Sequence, residues 1–415
     1  MKNNEPVPAG YGKAVVERKP SERKRTDGET PMLQQMEDFL KKHYLFRYNR
    51  LTETTEFRGK RRAREPFRLV GQRELNTFCL DAQRHGLDCW DRDIARYVHS
   101  ERIPSYHPFH TWMNGLPSWD GTDRVDALAQ RVSDSPLWVE SFHRWMLGLA
   151  AQWEGRDSLH ANSVAPVLVS RRQGMHKSTF CRMLVPPSLQ GYYTDSFDPG
   201  ISSGSEQKLT AFGLINIDEL DKLSDKKMAL LKNLMQMAKM NIRKAHKKNF
   251  DPLPRLASFI ATSNRKDLLT DPTGSRRFLC VEVKQKIDCS PIDYEQLYAQ
   301  LKSELSAGVR HWFTTEEETA IMENNAPFRR QGMEEDVFHR CFRFPESGEK
   351  GELLSAACIF DILKRTNPSA MREVTAYAFS RLLPAIGAPR VHTKHGNLYH
   401  LIPLHPRRAA LSTER

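Results

Sequence analysis

Apolar residues recur every three or four positions in MLQQMEDFLKKHYLF, where Met32, Met36, Phe39, Leu40 and Tyr44 fall on one face of an expected helix. YNRLTETTEFRG then alternates as a strand does, and QRELNTFCLDAQRHGLDCW returns to helical spacing. A small α+β domain is therefore expected over 31–105. A connector punctuated by proline and glycine, HPFHTWMNGLPSWDGTDRVDALAQRV, ends in a helix starting after Gly121. SPLWVESFHRWMLGLAAQWEG follows as an amphipathic helix. Its stripe of Trp138, Phe142, Trp145 and Leu149 reads as core, which makes 106–160 a helical lead-in.

The rhythm changes over 161–285. Short β-rich runs (VAPVLVS, FGLINID, LASFIATSN, RRFLCVEV) alternate with helical patterns, the signature of an α/β layer built on a mainly parallel sheet. Residues 286–340 read as polar helices and connector. Over 341–404 the chain reads helix, helix, then the Gly-turned TKHGNLYHLIP, the order of a recognition helix followed by a wing. In such a winged-helix-like domain Arg372, Arg381, His392, Lys394 and His395 would meet phosphate or a groove, unless the wing serves protein contacts. Residues 1–30, rich in Lys, Arg, Glu, Pro and Gly, and 405–415 read as tails.

Composition narrows the class. The 415-residue chain is 39% hydrophobic and 27% charged, ordinary for a globular protein with more than one domain. No run of eighteen apolar residues exists to span a membrane, and the N-terminus lacks the apolar stretch of a secretory signal. The seven cysteines include no C-x-x-C pair, so neither a zinc site nor a disulfide framework is expected, and a cytoplasmic setting fits. A net charge of +12 points toward an anionic polymer as partner.

Candidate chemistry lies in the α/β part. In VLVSRRQGMHKSTF an apolar strand runs into a loop and then a helix start, the layout that converges backbone N–H groups on phosphates. Gly174, Met175, His176, Lys177, Ser178 and Thr179 would form the loop. Lys177 would reach the β- and γ-phosphates of ATP, and Ser178 would help hold Mg2+. Two departures from G-x-x-x-x-G-K-[ST] stand out, Arg171 and His176 where the pattern has glycine; if the second position needs φ > 0, histidine tolerates it better than most residues. Some forty residues on, FGLINIDEL delivers Asp218 and Glu219 to a strand end, one acid for the metal and the next to polarise an attacking water. LASFIATSN ends in Asn264, an amide able to orient that water or touch the γ-phosphate. Arg276 or Arg277, before the next strand, would neutralise charge developing on the phosphate, in cis or from a neighbouring subunit.

These segments, GMHKSTF, NIDELDKLSDKKMALLKNLM, IRKAHKKN, SFIATSN and LTDPTGSRRFLCVEV, resemble the virulence-associated E-type P-loop ATPases, phage and mobile-element proteins akin to superfamily-three helicases. The resemblance spans roughly 100–285 and includes the lead-in SYHPFHTWMNGLPSWDGTDRVDAL. The C-terminal part is similar to a small winged-helix-type domain appended to such proteins in Bacteroides-like elements.

The resemblance implies an ATP- and Mg2+-dependent P-loop ATPase acting on single-stranded or forked DNA, assembled as a ring that is expected to be a hexamer. Lys177 and Ser178 match its Walker A residues, Asp218 and Glu219 its Walker B pair, and Asn264 its sensor; one of Arg276 and Arg277 matches the arginine finger. MNIRKAHKKNFDPLPRL matches the interval that carries a channel hairpin. There Arg243, Lys244, Lys247 and Lys248 would hold phosphates without reading sequence, where an unremarkable basic loop would simply be solvated. A primase, if needed, would come from a separate chain, since 1–100 lack both a C-H-C-C pattern and spaced metal-binding acids. Two other functions fit the same residues: a DNA-binding initiator that uses its nucleotide as a switch with little turnover, and a defence or signalling protein that never touches DNA. The run RGKRRARE (58–65) is a further phosphate candidate, with a solvated loop as the alternative.

Overall fold

The computed structural model describes residues 31–62, 64–156, 160–200, 202–242, 251–269, 275–330, 332–346, 348–394 and 396–404. The chain divides into two compact units, one of residues 1–49 and 53–105 and one of 50–52 and 106–415.

In the first unit, helices Met32–His43, Gln72–Arg84 and Asp91–Val98 accompany an antiparallel hairpin of Tyr44–Asn49 and Thr54–Gly59, extended by the two-residue strand Arg68–Leu69. The stretch expected as a single strand, YNRLTETTEFRG, thus holds a reversal at 50–53, where Glu53 takes φ 54°. Burial follows the two-residue period. Phe46, Thr55 and Phe57 point inward, where Met36, Phe39, Leu40, Leu75, Phe78 and Ile94 of the helices cover them.

The second unit is α/β with a parallel sheet. Its five strands, numbered here for this sheet alone, are β1 (Ala165–Val169), β2 (Tyr193–Thr194), β3 (Leu214–Ile217), β4 (Ser258–Ser263) and β5 (Phe278–Glu282). They lie in the order β5-β1-β4-β3-β2, every neighbouring pair parallel. β1, β3 and β4 are buried along their whole length, which is why they read as unbroken apolar runs.

Alternation within those runs still matters, because it separates two cores. Leu168, Leu214, Ile260 and Leu279 face one apolar cluster, while Val167, Ile215, Phe259 and Cys280 face the other. The first cluster is closed by helix Pro136–Glu154, whose Trp138, Phe142, Trp145 and Leu149 are all at most 2% exposed. Proline in its first turn and Gly155 in the left-handed conformation at its end (φ 66°) fix the limits of that helix. Truncating Trp145 to Ala at such a site would cost about 3–5 kcal/mol. The second cluster is closed by helix Asp225–Gln236 through Leu231, Leu234 and Met235. Helices Tyr294–Ser306 and Thr315–Asn324 contribute Leu297, Leu301 and Ile321 to the first.

The end of the chain builds a separate small core. Helices Met333–Cys341, Ala356–Thr366 and Ala376–Ala385 pack Phe338, Ile359, Leu363 and Phe379 against Leu354, Tyr399 and Leu401 of the strands Glu352–Ser355 and Gly396–Pro403. Arg390–Thr393 pairs with the latter strand antiparallel. The seven cysteines are unpaired, five of them buried. No described helix is long and apolar enough to cross a membrane.

Candidate functional site

Three strands that are neighbours in space but distant in sequence, β1, β4 and β3, release their chains at the same edge of the sheet. Parallel sheets place such loops together, at the carboxyl ends of the strands. β1 leads through Ser170 into the loop 171–176 and helix Lys177–Met183. Gly174 has φ 73° and His176 φ 61°, ψ 23°, so the loop does require left-handed backbone at the position where glycine was replaced. Histidine carries that conformation at a cost on the order of 1 kcal/mol. The loop is anchored from outside, since Ile287 N donates to Met175 O at 3.2 Å and Arg172 N donates to Ser170 Oγ at 3.2 Å.

Lys177 is the most constrained cation here. Its side chain is buried, and its Nζ donates to Ser170 O at 3.1 Å and to Asn264 Oδ1 at 2.9 Å. Burial holds its pKa below the ordinary lysine value, against the pull of Asp218 and Asp221. Among the described residues only neutral partners receive its hydrogen bonds, so a polyanion brought to this amine would relieve a desolvated charge.

Asp218 accepts from Ser178 Oγ at 3.0 Å and from Thr262 Oγ1 at 2.6 Å. Glu219 has φ 55°, ψ 55°, a conformation rare for a non-glycine residue. Its N donates to Thr262 Oγ1 (3.3 Å), its Oε1 accepts from Asn264 Nδ2 (3.4 Å) and its Oε2 pairs with Lys222 (2.6 Å). Behind them Asp221 accepts from Ser263 Oγ at 2.8 Å and Asn264 N at 3.2 Å, which sets the amide of Asn264 between lysine and glutamate.

The result is a concave pocket of about 310 Å³, lined by Gln173, Gly174, Met175, His176, Lys177, Ser178, Thr179, Asp218, Glu219, Thr262 and Asn264. All of the expected loop residues, both acids and the asparagine are brought together. Arg276 and Arg277 are not among the lining residues. Arg276 instead pairs with Glu318 of helix Thr315–Asn324 at 3.2 Å.

Arg243, Lys244, Lys247 and Lys248 lie outside the described residues, as does His395. The arms that flank the first four are described. Lys239–Ile242 and Asp251–Pro254 pair antiparallel, from Lys239↔Pro254 to Ile242↔Asp251. The root of this hairpin is held by Arg255, 2% exposed, whose guanidinium donates to Leu234 O and Met235 O at the end of helix Asp225–Gln236 and to Asn162 O. Burial pushes this guanidinium down to about 9, and the carbonyl end of a helix is a natural partner for it.

Sequence reading missed Thr262, Asp221, Lys222 and Arg255. Thr262 left a faint signal, a hydroxyl inside the apolar run two residues before Asn264.

Residues 113–330 match the virulence-associated protein E-like domain, and 331–401 match a domain of unknown function from B. Theta. Among solved structures, the apo C-terminal region of NrS-1 gives a TM-score of 0.43 at 11% identity, covering 90% of this chain and 100% of that one. An A-form apo structure of the same region gives 0.41 at 12% identity, with 90% and 100% covered. No curated protein matches the chain.

Proposed function

The chain belongs to the virulence-associated protein E-like family, and from that membership we propose that its second unit is a P-loop ATPase that binds and hydrolyses Mg-ATP and acts on DNA during replication of a phage or mobile element. The observation that carries the reading is the convergence of Lys177, Ser178, Asp218, Glu219 and Asn264 on one pocket from three adjacent parallel strands.

The residues fit the group they would hold. Hydroxyl and carboxylate oxygens 3.0 Å apart, from Ser178 and Asp218, are the hard donors that magnesium takes, and the buried amine of Lys177 has no carboxylate partner among the described residues. Mg2+ held there would neutralise charge on the terminal phosphates. Lys177 exchanges its contacts with Ser170 O and Asn264 for phosphate oxygens. Glu219, freed from Lys222, accepts the proton of the attacking water. Asn264, held by Asp221, orients that water.

Arg276 or Arg277, being absent from the pocket of its own chain, serves as the finger for a neighbouring subunit, which makes a ring, a hexamer by the family resemblance, the working assembly. Arg243, Lys244, Lys247 and Lys248, between the paired arms Lys239–Ile242 and Asp251–Pro254, hold single-stranded or forked DNA, and the C-terminal winged-helix-like domain adds contacts. Priming is left to a separate chain, and the setting is the cytoplasm of the host.

Steady-state ATP hydrolysis, with and without single-stranded DNA, tests this. DNA-stimulated turnover that Lys177→Ala abolishes supports it. Nucleotide binding with no turnover in the wild type would replace it by the nucleotide-switch initiator, and turnover indifferent to DNA would favour the signalling reading.

A further inference from the structure

The hairpin of the first unit has one face covered by helices and one that is partly open. All three helices bury the side that carries Phe46 and Phe57. On the other side the register sets Leu45 opposite Arg58, Arg47 opposite Glu56, and Glu56 opposite Leu69. Leu45 is 40% exposed and Leu69 60%, whereas Asn49 on the same side is buried, so this face is open in part.

The Phe67 ring lies among these side chains. The guanidinium of Arg47 sits 3.7 Å from its centroid and that of Arg58 4.8 Å from it, so two planar cations rest on one half-buried ring. Glu56 accepts from Arg47 Nε at 2.8 Å and from Asn49 Nδ2 at 3.0 Å, which leaves its charge compensated. Where the strand Thr54–Gly59 leaves this face it runs into the turn Lys60–Arg62, three consecutive exposed cations. Of these, Arg62 pairs with Glu65 at 3.2 Å.

We propose that this face, centred on Phe67 with Arg47 and Arg58 and bordered by Lys60 and Arg61, is a binding site for single-stranded polynucleotide. The chemistry is specific to a polymer of bases and phosphates. Flat guanidinium and aromatic surfaces offer stacking platforms to unpaired bases, and the basic turn at the strand's end takes the backbone. A sheet face with flat, half-exposed groups suits splayed bases, which a duplex keeps in its interior. The site lies outside the matched family domain and does not rest on the nucleotide reading of the second unit.

The test is anisotropy of the full chain with labelled oligodeoxythymidine, oligouridine and a duplex of equal length, over a range of salt. Phe67→Ala and Arg58→Ala are each expected to weaken single-strand binding about tenfold, the scale of one lost stacking contact. The double variant Lys60→Glu/Arg61→Glu is expected to lower the salt slope by about 1–2. Unfolding temperature and DNA-free ATP hydrolysis should stay at wild-type values in all three. Photo-crosslinking of the wild type to oligodeoxythymidine should place crosslinks in 44–69. Equal affinity for oligouridine and oligodeoxythymidine supports the shared chemistry. Binding unchanged within twofold in the variants, equal losses for duplex and single strand, or crosslinks confined to residues beyond 105 would each overturn the proposal. Loss of ATP hydrolysis in Lys177→Ala leaves it standing.

Discussion

Two groups of ionisable side chains in the second unit look alike on a map of charges and differ in everything else. One is the pocket of Lys177, Asp218, Glu219 and Asn264. The other joins His143 to Asp126 and Glu304, with Nδ1 2.6 Å from Asp126 Oδ1 and Nε2 2.7 Å from Glu304 Oε2. Asp123, Asp126 and His143 lie close enough together to suggest a metal site. Their bonds argue otherwise. Asp123 Oδ1 already accepts from Val125 N, Asp126 N and Gln300 Nε2, each at 3.0 Å. Burial opposes charge on the His143 ring, yet hydrogen bonds to Glu304 and Asp126 outweigh it and push the pKa up to about 9. Both ring nitrogens already face a carboxylate, Asp126 on one side and Glu304 on the other, so this group is a clamp between helices.

The pocket inverts each of these features. Its lysine is desolvated without a carboxylate partner among the described residues, two non-glycine residues, His176 and Glu219, sit in the left-handed region, and its groups open onto a concavity. Charge that is satisfied serves the fold; charge that is held ready at some cost serves a ligand.

Exchanging the two roles by mutation is the sharpest way to break this comparison. Lys177→Ala and Glu219→Gln should lower ATP turnover by roughly 10²–10⁴-fold, the range of a lost proton acceptor or phosphate contact, with the unfolding temperature unchanged or raised. Steady-state kinetics beside thermal melts would show this split, and a parallel loss of fold would erase it.

His143→Ala should do the reverse. With Asp126 and Glu304 left facing one another, stability should fall by about 2–3 kcal/mol in denaturant melts while turnover per folded molecule persists. The pH dependence follows from the raised pKa. The stabilisation is fully present below the unfolded value of about 6.5 and is lost as pH rises through about 9. Wild-type stability should therefore decline across that window, and the decline should vanish in His143→Ala.

The smallest effect is His176→Gly. Relief of the left-handed backbone should raise stability by about 1 kcal/mol and leave turnover within a few-fold of wild type. A large rise in turnover would mean that the imidazole obstructs the site, and a large loss that it takes part.

The sheet was legible in the sequence because its strands are buried on both faces and so appear as apolar runs between loops. The edge strand Tyr193–Thr194 was not, since two residues carry no periodicity. The reversal at 50–53 was missed for a related reason: its residues continue the polar alternation of the strands on either side. At the site, residues tied to a strand end were visible through their order along the chain. Thr262 and Asp221 were not, because their roles arise only where β3 and β4 lie side by side. Lys177 and Asn264, 87 residues apart, become partners by the same route. Arg255 reads as one more basic residue until its burial against three carbonyls is seen.

The central claim is that the pocket binds Mg-ATP in order to cleave it. Calorimetric titration of Mg-ATP into wild type, Glu219→Gln and Lys177→Ala tests it most directly. The account expects Glu219→Gln to bind as tightly as wild type while failing to turn over, and Lys177→Ala not to bind. Equal binding by all three proteins, or none by the wild type, would contradict it.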